Sequence, residues 1–380
     1  MSGLYIHIPF CRQKCLYCDF YTGGVRIADW TGLVKAFINE LTVRSEEISE
    51  RPSTIYIGGG TPSLLPSSDF KNLIEGIKSI LGPFKAEEFT IEVNPEDVSM
   101  EKIETWLEFG VNRVSVGVQT LQDRELKLLG RSHDSKKAIE ACRMLAKNID
   151  NISIDLMFGI PGQTLESYRR SLEGVLNLSP AHISSYALML EEGTAMTILH
   201  RENRISLPDE DLWFKMYDLT VSSLEEAGFE RYEISNYCKP GRESRHNISY
   251  WHGHPYVGIG PGAHSYDGKS VRRWNPCDLK GYLNHFLSKD LEELSQSKFY
   301  SQEVLSLEEM REEMVMTRLR TVEGLNLKEF KDRFGNKAKE KLLQEARPFI
   351  KADLLQKFDD FLSFTRSGFA VSDSILPALI

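Results

Sequence analysis

At 380 residues and 41% hydrophobic side chains, the chain is long enough for one large domain plus a smaller one and can fill a sizeable core. Its 46 basic against 55 acidic side chains give a formal charge of -9, which excludes the net positive field that nonspecific phosphate binding needs, so no nucleic-acid partner is expected. Six cysteines, half of them in one short run, read as metal-site usage in a reducing compartment rather than a disulfide framework, with Cys142, Cys238 and Cys277 as packed thiols.

The N-terminus reaches Cys11 without a charged leader or long apolar segment, and no stretch approaches the length of a membrane span, so a cytoplasmic chain is expected. Leu4 to Ile8 reads as a strand closed by Pro9, and Cys11-Arg12-Gln13-Lys14-Cys15-Leu16-Tyr17-Cys18 follows directly. A loop at the end of a first strand can aim three thiolates at one point, the geometry an iron–sulfur cluster requires. Three is one short of full ligation, so a four-iron cluster held this way keeps one iron open for a small ligand. Structural zinc fits less well, since it takes four protein ligands and no second closely spaced cysteine pair exists.

Beyond the loop, Trp30 to Ile48 has helix spacing and Thr54 to Ile57 is a strand running into Gly58-Gly59-Gly60-Thr61-Pro62. The alternation continues with a helix over Phe70 to Leu81, a strand over Phe89 to Val93, a helix over Glu101 to Phe109 and a strand over Val114 to Val118. Helices over Ser135 to Lys147 and Leu165 to Leu176 alternate with strands over Ile152 to Leu156 and Ile183 to Tyr186. Six strands joined through helices predict a parallel α/β sheet, and an open sheet and a partial barrel fit the pattern equally well.

After residue 187 the alternation weakens. A helix is expected over Asp209 to Ala227 and a strand over Phe229 to Ile234, before a region rich in His, Gly and aromatics from Tyr237 to Tyr266. From about Leu291 the composition shifts to Glu, Lys and Leu, with helices expected over Glu308 to Leu319, Leu327 to Phe334 and Lys337 to Phe349 and a hairpin or wing over Phe361 to Val371. The expected division is a core over residues 1–235, a connecting region over 236–290 and a winged-helix-like α+β module over 291–380. Such modules also bind DNA, but the acidic balance favours a packing or lid role here.

The cysteine loop, Thr61, Glu92, Gln119 and Asp155 all fall at or just past the C-terminal ends of predicted strands, where parallel βα architectures build active sites. Taken singly, Asp155 or Thr61 reads equally well as a helix cap. The glycines at 58 to 60 serve either a tight turn or the close approach of a ligand to backbone.

The Cx3Cx2C spacing resembles the signature of the radical S-adenosylmethionine (SAM) superfamily, which implies a [4Fe–4S] cluster whose open iron is chelated by the amino and carboxylate groups of SAM. Further runs narrow the likeness: Tyr5-Ile6-His7-Ile8-Pro9-Phe10-Cys11, Gly58 to Pro62, Glu92-Val93-Asn94-Pro95, Gly117-Val118-Gln119-Thr120, Leu129-Gly130-Arg131 and Asp155 to Gly162. Together they resemble the oxygen-independent coproporphyrinogen III oxidase-like branch, and imply a partial (β/α)6 barrel with a smaller C-terminal module. Within that branch the oxidases carry a further cysteine two residues after the motif and an N-terminal extension; here that position is Phe20 and the chain starts only a few residues ahead of the first strand. His246-Asn247-Ile248-Ser249-Tyr250-Trp251 matches instead the HNxxYW motif of HemW-type haem chaperones, and the chain is similar to that family.

Carried over by position, the resemblance makes Cys11, Cys15 and Cys18 the cluster ligands and places Tyr5, Tyr17, Gly59, Gly60, Thr61, Glu92, Gln119, Arg131, Asp155 and Ala187 around SAM. Glu92 and Asp155 can accept from ammonium or ribose hydroxyls, and Arg131 can pair with a carboxylate. His246 offers an imidazole nitrogen to haem iron beside flat apolar Tyr250 and Trp251, with His252 and His254 as alternative ligands and a hydrogen-bonded loop histidine as the structural alternative. The implied function is binding of cluster, SAM and haem and delivery of haem to an acceptor protein. Radical decarboxylation of coproporphyrinogen III is the second reading and a DNA-binding regulator the third.

Overall fold

The computed structural model describes residues 2–25, 28–48, 51–83 and 85–380. Six strands form its spine: β1 (Gly3–Ile8), β2 (Thr54–Gly59), β3 (Glu88–Val93), β4 (Arg113–Gln119), β5 (Ile152–Phe158) and β6 (His182–Ala187), adjacent in that order and all parallel. Their two-residue period sorts the side chains. Leu4, Ile6 and Ile8, then Ile55 and Ile57, then Phe89, Ile91 and Val93, then Val114, Val116 and Val118 all pack in the core under the helices. The intervening Tyr5, Tyr56, Glu92, Ser115, Gly117 and Asp155 therefore share the opposite, concave face.

The helices covering the outer face are α1 (Trp30–Val43), α2 (Ser67–Leu81), α3 (Met100–Glu108), α5 (Ser135–Ala146), α6 (Leu165–Leu176) and α8 (Glu210–Glu226), while α4 (Asp123–Leu129) and α7 (Ala195–Arg201) send Leu129 and Met196 into a separate cluster with Met157, Ile160 and Leu188 beside Leu16 and Tyr17. Side-chain caps start most of them: Asp29, Ser99, Asp134, Thr164 and Asp209 each accept from a backbone N–H of the first turn. Helix α1 stops at Val43, short of the expected Ile48, because Arg44 turns inward and its guanidinium donates to Glu40, Glu47 and the Gly258 carbonyl. Helices α4 and α7 carry too few turns to show a hydrophobic period.

The segment from 229 to 304 extends the sheet at both ends. On the β6 side, β7 (Glu230–Arg231) and β8 (Asn236–Cys238) add antiparallel. The strand expected over Phe229 to Ile234 is thus cut to two paired residues, because Glu233 leaves the sheet to bridge Thr321 and the β6 partner is Asn236–Cys238. After α9 (Arg245–Trp251) comes β9 (Tyr256–Ile259), a seventh parallel strand against β1, then antiparallel β10 (His264–Tyr266), β11 (Val271–Trp274) and β12 (Ser301–Val304). The sheet order is β12-β11-β10-β9-β1-β2-β3-β4-β5-β6-β8-β7, an open, curled sheet with two edges rather than a closed barrel.

Helices α10 (Leu279–Ser288) and α11 (Leu291–Gln296) pack on α1. The C-terminal module comprises α12 (Leu307–Leu319), α13 (Leu327–Phe334), α14 (Asn336–Lys351) and a three-stranded sheet of β13 (Leu325–Asn326), β14 (Leu355–Phe358) and β15 (Phe361–Phe364). The hairpin lies earlier than the expected Phe361 to Val371. Its turn is Asp359-Asp360, where Asp359 takes a φ of 51° that short polar side chains tolerate, and Thr365 then caps a helical turn over Arg366–Ala370. Among the described residues no helix is long and apolar enough to cross a membrane.

Candidate functional site

A cavity of about 420 Å³ opens at the C-terminal ends of the parallel strands, lined by Cys11, Cys15 and Cys18 together with Tyr17, Gly59, Gly60, Thr61, Glu92, Gln119, Arg131, Asp155 and Ala187. The cysteine loop is tied in place by Leu16, which donates to the Leu129 carbonyl and accepts from Met196, and by Arg12, which donates to Asp97. Among the described residues no three His, Cys, Asp or Glu side chains stand close enough to share one metal ion. Burial pushes the Cys11 thiol up and the Cys18 thiol up to about 11, so both need nearby positive charge to ionise.

A hydrogen-bonded arc joins two of the thiols. Thr61 donates to Cys11 Sγ at 3.3 Å, Asn94 donates to Thr61 at 3.3 Å, Arg131 donates to Asn94 Oδ1 at 2.6 Å, and the other end of the same guanidinium donates to Cys15 Sγ at 3.4 Å. Arg131 also donates to the Gly117 carbonyl, while its Nε is buried with no partner. The guanidinium sets a positive charge against the Cys15 thiol on the cavity wall.

The opposite wall is acidic. Glu92 accepts from Tyr56 at 2.6 Å and from the Gly59 N–H at 3.1 Å, yet burial pushes its carboxyl up to about 7. Burial likewise raises Asp155, against hydrogen bonds from Ser184 and Ser115. Gln119 ends β4 with a φ of 68° at a register shift between β4 and β5, a strained, bulged position that aims its side chain into the cavity. The glycines are required by the protein itself. A Cβ on Gly59, at φ 107°, would strike the His7 ring at 2.5 Å, and one on Gly60 would meet the Phe10 carbonyl at 2.6 Å.

Two expected residues lie elsewhere. Tyr5 sits below the cavity, paired across the sheet with Tyr56 and with its hydroxyl 3.0 Å from His7 Nδ1. His246 is wholly buried, stacked on Tyr56 at 5.0 Å, with Nδ1 2.8 Å from Thr54 Oγ1 and Nε2 2.7 Å from the Tyr250 hydroxyl. Both ring nitrogens are thus hydrogen-bonded within the protein in this conformation. Burial and the nearby Arg113 charge lower its pKa to about 3, keeping the ring neutral.

A second cavity, of about 580 Å³, fills the lateral opening of the half-barrel between α9 and α12. Its walls include Tyr250, Trp251, His252, His254, Tyr256, Met310, Met314 and Arg333. Tyr186, at the end of β6, lines both cavities, so the two meet there. Sequence reasoning missed Asn94, Ser115 and Tyr186 as cavity residues, although each occupies a concave-face or strand-end position that the two-residue period marks. Phe20 stands at the mouth of the first cavity, 59% exposed.

Residues 5–174 match the Radical SAM superfamily and residues 305–371 match the HemN C-terminal domain. The chain is 36% identical to the heme chaperone HemW of Bacillus subtilis (strain 168), over 94% of this chain and 92% of that protein. It is 35% identical to the heme chaperone HemW of Lactococcus lactis subsp. lactis (strain IL1403), over 98% and 96%. Among solved structures, the coproporphyrinogen III oxidase (HemN) of Escherichia coli, a radical SAM enzyme, has a TM-score of 0.83 over 100% of this chain and 89% of its own. At 20% identity, that likeness is one of fold.

Proposed function

The chain belongs to the HemW family, and on that premise we propose that it is a haem chaperone that carries a [4Fe–4S] cluster and SAM at its strand ends and delivers haem to an acceptor protein. Cys11, Cys15 and Cys18 are the residues to hold the cluster, which when bound supplies one open iron and one-electron chemistry. Thr61 and Arg131 donate hydrogen bonds to Cys11 and Cys15, which spreads the negative charge of the thiolates and fixes their direction.

The Arg131 guanidinium, which lines the cavity, is the cationic partner for the carboxylate of SAM, and Glu92 and Asp155 are the acceptors for its ammonium and hydroxyl groups. Tyr17, Gln119 and Ala187 close the same cavity, Gly59 and Gly60 leave backbone exposed to it, and Tyr5 supports it from beneath through Tyr56. The observation that carries the proposal is the meeting, at Tyr186, of the three-thiol cavity with a second, aromatic cavity bounded by the HNxxYW helix.

Hemin titration of the reconstituted protein tests it. The expected result is a saturable complex whose Soret band is displaced from that of free hemin; absence of a complex removes the reading. An anaerobic incubation with SAM and coproporphyrinogen III is expected to leave the substrate unchanged, and protoporphyrinogen formation would put the oxidase reading in its place.

A further inference from the structure

Gln119 reaches the first cavity from a turn that its own backbone disfavours. The Thr120 N–H returns to the Val118 carbonyl at 2.9 Å across Gln119, whose φ is 68°, which makes a three-residue turn of the rare, strained kind. Such a turn persists only where its surroundings over-determine it. Here the hydroxyl of buried Thr120 donates to Glu125 Oε2 at 2.6 Å and lies 3.1 Å from the Ser171 hydroxyl. The Leu121 N–H donates to that same Ser171 oxygen at 3.1 Å.

Glu125, buried in the first turn of α4, is where several segments converge. Its Oε2 also accepts from the Gln163 amide at 3.0 Å, and its Oε1 accepts from the Ser167 hydroxyl at 2.6 Å. Gln163 in turn accepts from the Ile160 N–H at 3.2 Å, closing the turn after β5, and Ser167 belongs to the capping box of α6. One carboxylate thus ties the end of β4, the turn after β5 and the start of α6 to α4. The far end of α4 meets the cysteine loop. There the Leu129 carbonyl accepts from the Leu16 N–H at 3.0 Å, and the Arg131 N–H returns to the Leu126 carbonyl at 2.9 Å while its guanidinium reaches Cys15. Glu125 itself lies outside the cavity lining, so its effect on a ligand passes through Gln119 and Arg131.

We propose that Glu125 is a positioning residue for SAM: its carboxylate holds the Gln119 turn and, through α4, sets Gln119 and Arg131 in register with the cysteine loop. This assignment rests on the reading above that cluster and SAM share the cavity, and one titration series separates the two. The full-length chain with reconstituted cluster is titrated with SAM by calorimetry and, after dithionite reduction, by electron paramagnetic resonance. The variants are Glu125→Ala, Glu125→Gln, Thr120→Val, Thr120→Ser and Asp209→Ala. The last removes the side-chain cap of α8 and leaves every contact of Glu125 in place, so it supplies a loss of melting temperature unrelated to the turn. Amide exchange over residues 119–122 is followed on the same variants without SAM.

Glu125→Ala is expected to weaken SAM at least about tenfold, to leave the SAM-free cluster signal as in the wild type and to speed exchange over 119–122. Glu125→Gln keeps an oxygen for Thr120 and Gln163 and turns its N–H to the Ser167 hydroxyl, and is expected to bind SAM within about threefold of the wild type. Thr120→Val, which leaves the carboxylate in place, is expected to weaken SAM, and Thr120→Ser to restore it. Asp209→Ala is expected to melt earlier with unchanged SAM affinity. A wild type whose cluster signal and heat show no response to SAM overturns the SAM reading itself. A wild type that responds, with Glu125→Ala or Thr120→Val binding SAM as tightly as it does, overturns only the positioning role. Loss of SAM affinity in Asp209→Ala in proportion to its melting temperature reduces the effect to general destabilisation and overturns it too. Equal loss in Glu125→Gln and Glu125→Ala overturns the hydrogen-bond account.

Discussion

Glu92 faces the three thiols with a carboxyl that burial has pushed up to about 7, so the charge of the cavity changes within the physiological range. Below that pH the group is neutral and can only share a proton; above it, a full negative charge faces a cationic ligand. SAM, bound through its ammonium, is therefore expected to bind more tightly as pH rises from 6 towards 8. The gain approaches about tenfold per unit below pH 7 and levels off above it. Calorimetric titration of the reconstituted protein at pH 6, 7 and 8 measures this, with Glu92→Gln expected to give a flat profile; a flat profile in the wild type would sever Glu92 from ligand charge. Glu92 was legible as a site residue because it ends a strand on its polar face. Asn94 was not, because its role depends on Thr61 and Arg131, 33 and 37 positions away, converging on one side chain. His246 shows the converse: its motif is plain in the sequence, but Thr54, whose hydroxyl occupies Nδ1, lies 192 positions earlier.

At the scale of elements, α9 is a seven-residue helix, too short to hold its own shape in water. Glu88, at the start of β3, holds it from outside. Its carboxylate accepts from the Arg245 N–H at 2.9 Å, the His246 N–H at 3.0 Å and the Ser244 hydroxyl at 3.3 Å, satisfying first-turn donors that otherwise stay unpaired. Glu88→Ala is expected to cost about 1–3 kcal/mol in urea denaturation and to speed amide exchange over residues 245–251. Glu88→Gln, which keeps an acceptor, is expected to cost less. Unchanged exchange in both variants would show that α9 is held by its packing alone. The strands that carry the site were legible because their polar and apolar residues alternate cleanly, as in Thr90, Ile91, Glu92 and Val93. The elements that escaped are those with weak local signals: α4 and α7 are seven residues each, and the strands after 229 are short edge pieces whose pairing is set by distant β1 and β6.

Across the whole molecule, the chain after β6 does more than connect: it adds strands to both ends of the sheet and lays α12 over the lateral opening, so the second cavity exists only while the C-terminal module is docked. Glu233 marks that contact. It is 1% exposed, its backbone bridges Thr321 just after α12, and burial pushes its carboxyl up from 4.5 to about 7. A carboxyl whose folded pKa exceeds its unfolded one binds its proton more tightly in the folded chain, so its contribution to stability is complete below pH 4.5 and is lost as pH rises through 7. Glu92 adds a change of the same sign. The melting temperature is therefore expected to fall between pH 5 and 8 and to level off above that window. Glu233→Gln is expected to reduce the slope, and Glu233→Gln with Glu92→Gln to reduce it further. Differential scanning calorimetry across that range reads the slope directly, and a Glu233→Gln curve running parallel to the wild type would mean that ionisation at this contact does not govern docking of the module.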